Sequence, residues 1–232
     1  MKRTALVGAK IGVSLALLAY LLSTTDLSAL EEKVRSADLV DLFAAVLCFL
    51  AMLALATWRW QLLLGALGAP APIRRLTASY LVATFFNNFL PSNIGGDIVR
   101  VRDSSRLTGS VATSVAVVGI DRILGFGALY FLAAVAFAMA PPVVRGLAGA
   151  RAVLLGLGLL FGFLAYVFFR PGTARWIMAT TRLSSIEWAR EQFEVVQGAV
   201  HAYRARVGTI WLAGAASLVI QALAVLYYLA IA

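Results

Sequence analysis

Apolar residues along this chain come in long runs separated by short polar stretches. A helix that spans a bilayer needs about 20 such residues at about 1.5 Å rise each. Four runs read as spans on that basis: residues 39–67, 111–139, 152–169 and 208–231. Residues 4–22 make a fifth, interrupted only by Lys10, whose long stem can carry its ammonium to the interface. The basic start Met1-Lys2-Arg3 resembles that of a signal peptide. The Ser23-Thr24-Thr25-Asp26 that follows the run offers no clear small-x-small cleavage site, so this reads as a retained helix.

Two segments between the spans have the pattern of surface helices. Residues 26–38 place Leu27, Leu30 and Val34 on one face, with a Ser28-x-x-Glu31 box near the start. Ser184-Ser185-Ile186-Glu187 is a second such box. Behind it Ile186, Phe193, Val196, Val200 and Tyr203 form an apolar seam against Glu187, Arg190, Glu191, Glu194 and Arg204. Both segments are expected to lie along the membrane surface. His201, on the second, reads as an ordinary interfacial residue.

Residues 74–110 break the pattern. The apolar part, residues 76–90, would be about 22 Å long as a helix, short of the roughly 30 Å hydrocarbon core. Pro91 ends it. After Ser92-Asn93-Ile94-Gly95-Gly96 comes Asp97-Ile98-Val99-Arg100-Val101-Arg102-Asp103, too polar to cross lipid by itself. Either the first half crosses and the second lies outside, or the pair enters the membrane and returns to the same face as a re-entrant hairpin.

Composition fixes the solvent, and charge chooses between these topologies. The 232 residues are 62% hydrophobic and 13% charged, with a mean hydropathy of +0.89. Soluble domains run about 45–50% apolar and about 25% charged, so a water-soluble globule is excluded. The formal charge of +9 invites a nucleic-acid reading, which fails once the charges are sorted by side of the membrane. With the N-terminus inside and the hairpin re-entrant, fourteen loop arginines and lysines lie inside and four, Lys33, Arg35, Arg145 and Arg151, lie outside. A full crossing by residues 76–90 gives seven inside and eleven outside, a reversed bias. Re-entry and a cytoplasmic N-terminus are therefore expected. A single cysteine, Cys48, permits no intrachain disulfide, and with one histidine in the chain a zinc site is not expected.

Irregular backbone at membrane depth needs protein or a water-filled cavity to satisfy its N–H and C=O groups. The hairpin therefore marks a cavity. Asn87, Asn88, Ser92 and Asn93 supply amides and a hydroxyl around the break at Pro91, and Gly95-Gly96 allows close backbone approach where the next half-helix begins. Such a helix start suits an anionic group, for example a lipid phosphate. The simpler reading is that these polar groups only cap the broken helix, with Asp97 complementing its dipole. Asp121-Arg122, about 15–17 Å into the run that starts at Val111, is the second anomaly. Charges at that depth are costly and face partners. Neighbouring helix residues diverge by about 100°, so these two are not expected to satisfy only each other. Arg122 is open to two roles: a lock to Asp97 that holds the hairpin, or a grip on a phosphate in the cavity.

Enzymatic readings find little support. His201 has no evident nucleophile beside it, and Asp97, Asp103 and Asp121 are too sparse for a Mg²⁺ site. Gly156-Leu157-Gly158 with Gly162 lies inside a span and follows no strand, so it reads as close helix packing rather than a dinucleotide loop. Trp58-Arg59-Trp60 reads as an interfacial anchor. No cofactor or metal is expected.

The segment Leu90-Pro91-Ser92-Asn93-Ile94-Gly95-Gly96-Asp97 with Arg100, followed by Ala112-Thr113-Ser114, Asp121-Arg122 and Gly125, resembles the lysylphosphatidylglycerol synthase transmembrane-region family, also described as flippase-like. The resemblance extends over the whole chain. The spans and charges read as one all-α membrane domain over residues 1–232, with about five spans, one re-entrant hairpin and two amphipathic surface helices, and the resemblance implies that it is a multi-helix inner-membrane protein. It also implies a protein that moves or exposes anionic, aminoacylated or polyprenyl-linked lipids. In that reading Arg122 and Arg100 attract the phosphate, Gly95 and Gly96 cradle it, Asp97 and Asp121 hold the arginines, and Asn87, Asn88 and Asn93 line the path. Family members continue for several helices and carry a second motif of the Pro-x-Ser-x-Gly-Gly-x-Gly type. None stands here, so the chain is expected to lack the C-terminal part of the fold and to hold about half of a paired site. A second copy could complete it. The alternative function is a non-transporting subunit that docks a lipid-modifying synthase or glycosyltransferase through Arg175, Arg182 and Arg190.

Overall fold

The apolar runs become helices, and the residues at their ends show why each stops. The computed structural model describes residues 38–89, 94–170 and 187–231, and all regular structure among them is helical. Helix α1, Leu39–Ala66, begins where the Asp38 carboxylate accepts the Val40 N–H at 2.8 Å. It ends through Leu67 into Gly68, whose φ of 76° is left-handed backbone that a side chain would strain. Helices α2, Ile73–Phe89, and α3, Ile94–Thr108, follow. Gly109, at φ 71°, stops α3, and Ser110 caps α4, Val111–Met139, by accepting the Thr113 N–H at 3.2 Å. Only these two residues join α3 to α4. The short α5, Pro142–Arg145, leads to α6, Ala148–Phe169, and then come α7, Glu187–Ala205, and α8, Val207–Ala230.

Helices α1, α4 and α8 are each long and apolar enough to cross a membrane. Helix α6 coincides with the predicted run 152–169 but starts four residues earlier. The predicted first span, residues 4–22, and nearly all of the first surface helix lie outside the described residues.

Helices α2 and α3 pack on each other as an antiparallel hairpin. Ser79 Oγ donates to Asp103 Oδ2 at 2.5 Å near the open end, and the Gly96 N–H donates to Asn87 Oδ1 at 2.7 Å near the tip. On its other side α3 runs antiparallel to α4, so Asp97 meets Arg122 well along that helix. Helix α8 lies along α1, and α4 packs against both α7 and α8.

The apolar core gathers where α1 ends and α4 and α8 begin. Trp60, Leu63 and Leu64 of α1, Leu76 of α2, Val117 and Ile120 of α4, Tyr203 of α7 and Ala213 of α8 form one buried cluster. Away from it, Leu39, Phe43 and Leu47 of α1 and Leu155, Leu159 and Phe163 of α6 are exposed. Such faces suit contact with lipid tails. The seam predicted on α7 is partly turned onto protein: Val200 and Tyr203 are buried, while His201 is exposed. Tyr203 Oη donates to the Leu63 carbonyl at 2.8 Å, serving one of the last-turn carbonyls of α1 that lack a helical partner. Replacing Tyr203 by Phe should therefore cost about 1–2 kcal/mol, measured as a lower midpoint of thermal unfolding in detergent.

Candidate functional site

Five ionised side chains from three elements line one cavity of about 260 Å³ between the hairpin, α1, α4 and α8. Asp121, only 2% exposed, stands at their centre. Its Oδ1 accepts from Arg59 Nε at 2.6 Å and its Oδ2 pairs with Arg100 Nη1 at 2.8 Å. Two charge-assisted bonds to one carboxylate offset part of the cost of removing three charges from solvent. Arg59 also donates through Nη1 to Ser217 Oγ at 2.6 Å, and that hydroxyl donates onward to the Ala213 carbonyl at 2.8 Å. The network thus ties α1 and α8 to α4.

Arg100 is 4% exposed, and its guanidinium lies 4.8 Å from the Trp60 ring centroid and 5.1 Å from that of Tyr80. Contact with two aromatic rings suits a weakly hydrated planar cation. Its Nε and Nη2 have no hydrogen-bond partner among the described residues. Asp97, at the first turn of α3, pairs through Oδ2 with Arg122 Nε at 2.8 Å and lies 3.9 Å from Arg100 Nη1 through Oδ1. This pair is more open, with side chains 24% and 34% exposed. As the 100° offset on a helix requires, Asp121 and Arg122 turn to different partners.

Around the charges, Tyr80, Thr84 and Asn87 line the cavity from α2, and Gly125, Phe126 and Leu129 from α4. Gln221 lines it from α8 and donates to the Gly125 carbonyl at 3.3 Å. Tyr203 sits just beyond. Its burial, and secondarily the negative charge of Asp121, hold the phenol well above its ordinary pKa.

Of the residues singled out in the sequence, Asn87, Asp97, Arg100, Asp121 and Arg122 converge on this cavity. Gly95 and Gly96 are buried but are not among its lining residues. The Gly96 N–H is already given to Asn87, and a Cβ there would come within 2.7 Å of the Ala83 carbonyl oxygen. Gly96 therefore permits close packing of the hairpin. Asn88 is helical, its side chain lies outside the described set, and Pro91, Ser92 and Asn93 lie outside the described residues altogether.

The reading of Trp58-Arg59-Trp60 as an interfacial anchor is corrected. Arg59 and Trp60 are buried, the first in the charge network and the second in the core. The signal was present, because Arg59 is a charge within an apolar run just as Arg122 is. Ser217 and Gln221 carried no such signal. Arg190, from the basic docking face, is exposed and lies 3.6 Å from Glu194, while Arg175 and Arg182 fall outside the described residues.

Residues 7–232 match the family model described as lysylphosphatidylglycerol synthase TM region. The chain belongs to this family. The resemblance carried by the Pro91 to Asp97 motif and the Asp121-Arg122 pair is thereby borne out, and the chain is a multi-pass membrane protein linked to lipid metabolism. Comparisons with curated proteins and with solved structures return no match.

Two substitutions test the geometry. Asp121→Asn takes from buried Arg59 its paired carboxylate and from buried Arg100 the nearer of two, and should destabilise the fold by about 3 kcal/mol or more. The checks are folded yield and unfolding midpoint in detergent. Gly96→Ala should force the hairpin halves apart at a cost of about 1–3 kcal/mol, visible in the same melt and as faster amide exchange over α2 and α3.

Proposed function

We propose that this chain is a flippase-like protein whose hairpin cavity takes the phosphate of an anionic, aminoacylated or polyprenyl-linked lipid during passage across the inner membrane. The observation that carries the reading is a charge imbalance: three guanidinium groups and two carboxylates line the cavity. Among the described residues the surplus is one positive charge, which draws an anion toward the cavity. A phosphodiester headgroup is drawn by that surplus and brings oxygens for the open N–H groups of Arg100.

The hairpin is re-entrant in this proposal. Asp97 sits beside Arg122, eleven residues after the first residue of α4, about 17 Å along a core of roughly 30 Å. A tip at that depth, with both open ends at one end of the bundle, fits entry from the cytoplasmic face and return to it. Arg59 and Arg100 leave the tally of loop charges because they are buried, and the excess stays on the side assigned to the cytoplasm.

The test is translocation of a fluorescent anionic lipid in proteoliposomes. Arg122→Ala is expected to slow it about tenfold, the effect of ~1.4 kcal/mol, and a rate equal to wild type would overturn the proposal.

A further inference from the structure

We infer that Asp97 is the chain's own stand-in for the ligand phosphate, and that a phosphodiester binds by displacing it from Arg122 and so loosens the first turn of α3 against α4. The inference rests on the reading of the cavity as an anionic-headgroup site and adds how a carboxylate of the hairpin competes for it.

The two carboxylates of the cavity are not equivalent. Asp121 is shared by Arg59 and Arg100 at 2.6 and 2.8 Å and is nearly inaccessible. Removing it would strand two buried guanidinium groups. Asp97 makes one close ion pair, at 2.8 Å to Arg122, and a longer approach of 3.9 Å to Arg100. It is about a quarter exposed and belongs to the hairpin rather than to a spanning helix.

With one oxygen toward Arg122 and the other toward Arg100, Asp97 presents a single negative charge through two oxygens. A phosphodiester also carries one negative charge on two non-bridging oxygens, and in phosphatidylglycerol, unlike phosphatidylcholine, no headgroup cation offsets it. The Arg100 guanidinium it would approach keeps Nε and Nη2 without hydrogen-bond partners among the described residues, although the residue is only 4% exposed. An entering phosphate therefore reaches donors that the short Asp97 side chain leaves unused. Two anions cannot share the same guanidinium groups without repulsion, so Asp97 gives way. Its pair with Arg122 links the first turn of α3 to α4, and loss of that pair loosens that turn. Asp97 then sets affinity as an internal competitor, whereas a purely structural clamp would support binding.

The experiment uses the full chain in phosphatidylcholine nanodiscs, titrated with phosphatidylglycerol or, separately, with inorganic phosphate. Wild type, Arg122→Ala and Asp97→Asn are compared by native mass spectrometry of retained lipid. Asp97→Asn is expected to retain phosphatidylglycerol about fivefold more tightly than wild type, since a partly exposed ion pair no longer competes. Arg122→Ala is expected to retain it less. Wild type that does not prefer phosphatidylglycerol to phosphatidylcholine would sink the headgroup site itself. Wild type that does prefer it, with Asp97→Asn binding equally or more weakly, would sink only the stand-in. If Asp97→Asn fails to fold, electron-spin distance measurements decide with Asp97 intact. Spin labels replace Ile98 on α3 and Phe131 on α4, both exposed, in a Cys48→Ser background. Phosphatidylglycerol should lengthen or broaden that distance, and an unchanged distribution overturns the displacement. The same shift with inorganic phosphate alone assigns the displacing ligand to the free anion, and a shift with phosphatidylglycerol only assigns it to the lipid.

Discussion

The Asp121 carboxylate, shared between Arg59 and Arg100, is the constraint around which the described helices are arranged. A charge inside an apolar helix is tolerable only where its partners are fixed, and these partners come from different parts of the chain. Arg59 brings α1, with α8 attached through Ser217, and Arg100 brings the hairpin. The hydrophobic effect offers little help in choosing neighbours for helices that sit in lipid, because tails and side chains are equally apolar. Helix α8 packs along α1, with Ala213 and Ala216 buried. The charge network selects which helices meet and in what register.

The same economy shapes the hairpin. A broken helix leaves backbone donors without partners, and Asn87 answers one of them from the opposite arm. That contact requires the arms to lie close, which requires a glycine at position 96. One amide and one missing side chain together hold the two arms of the hairpin in close contact.

Much of this was legible in the sequence because the underlying costs are large. A run of about 20 apolar residues has few fates other than a membrane helix, and α1, α4 and α8 follow the predicted runs to within a residue or so. Asp121 and Arg122 stood out because buried charge is expensive. Arg59 did not, since it lies between two tryptophans in an arrangement that also marks the membrane interface, and 62 residues separate it from Asp121. Sequence spacing carries no information about a contact of that range. The part played by Gly96 was equally hidden: a glycine pair before a helix serves a ligand or a neighbouring backbone equally well, and only the position of Ala83 and Asn87 distinguishes the two.

The connection between α3 and α4 sets how the hairpin can move. With only Gly109 and Ser110 between them, the open end of α3 cannot translate away from α4. Any displacement must be a swing about that joint, with the fifteen-residue helix as a lever arm of about 22 Å. A rotation of a few degrees at Gly109, too small to disturb Thr108 and Ser114, becomes a shift of an ångström or more at Asp97. The fold thus places its pivot far from Asp97, so a change in ionic contact there acts on the hairpin with a long lever.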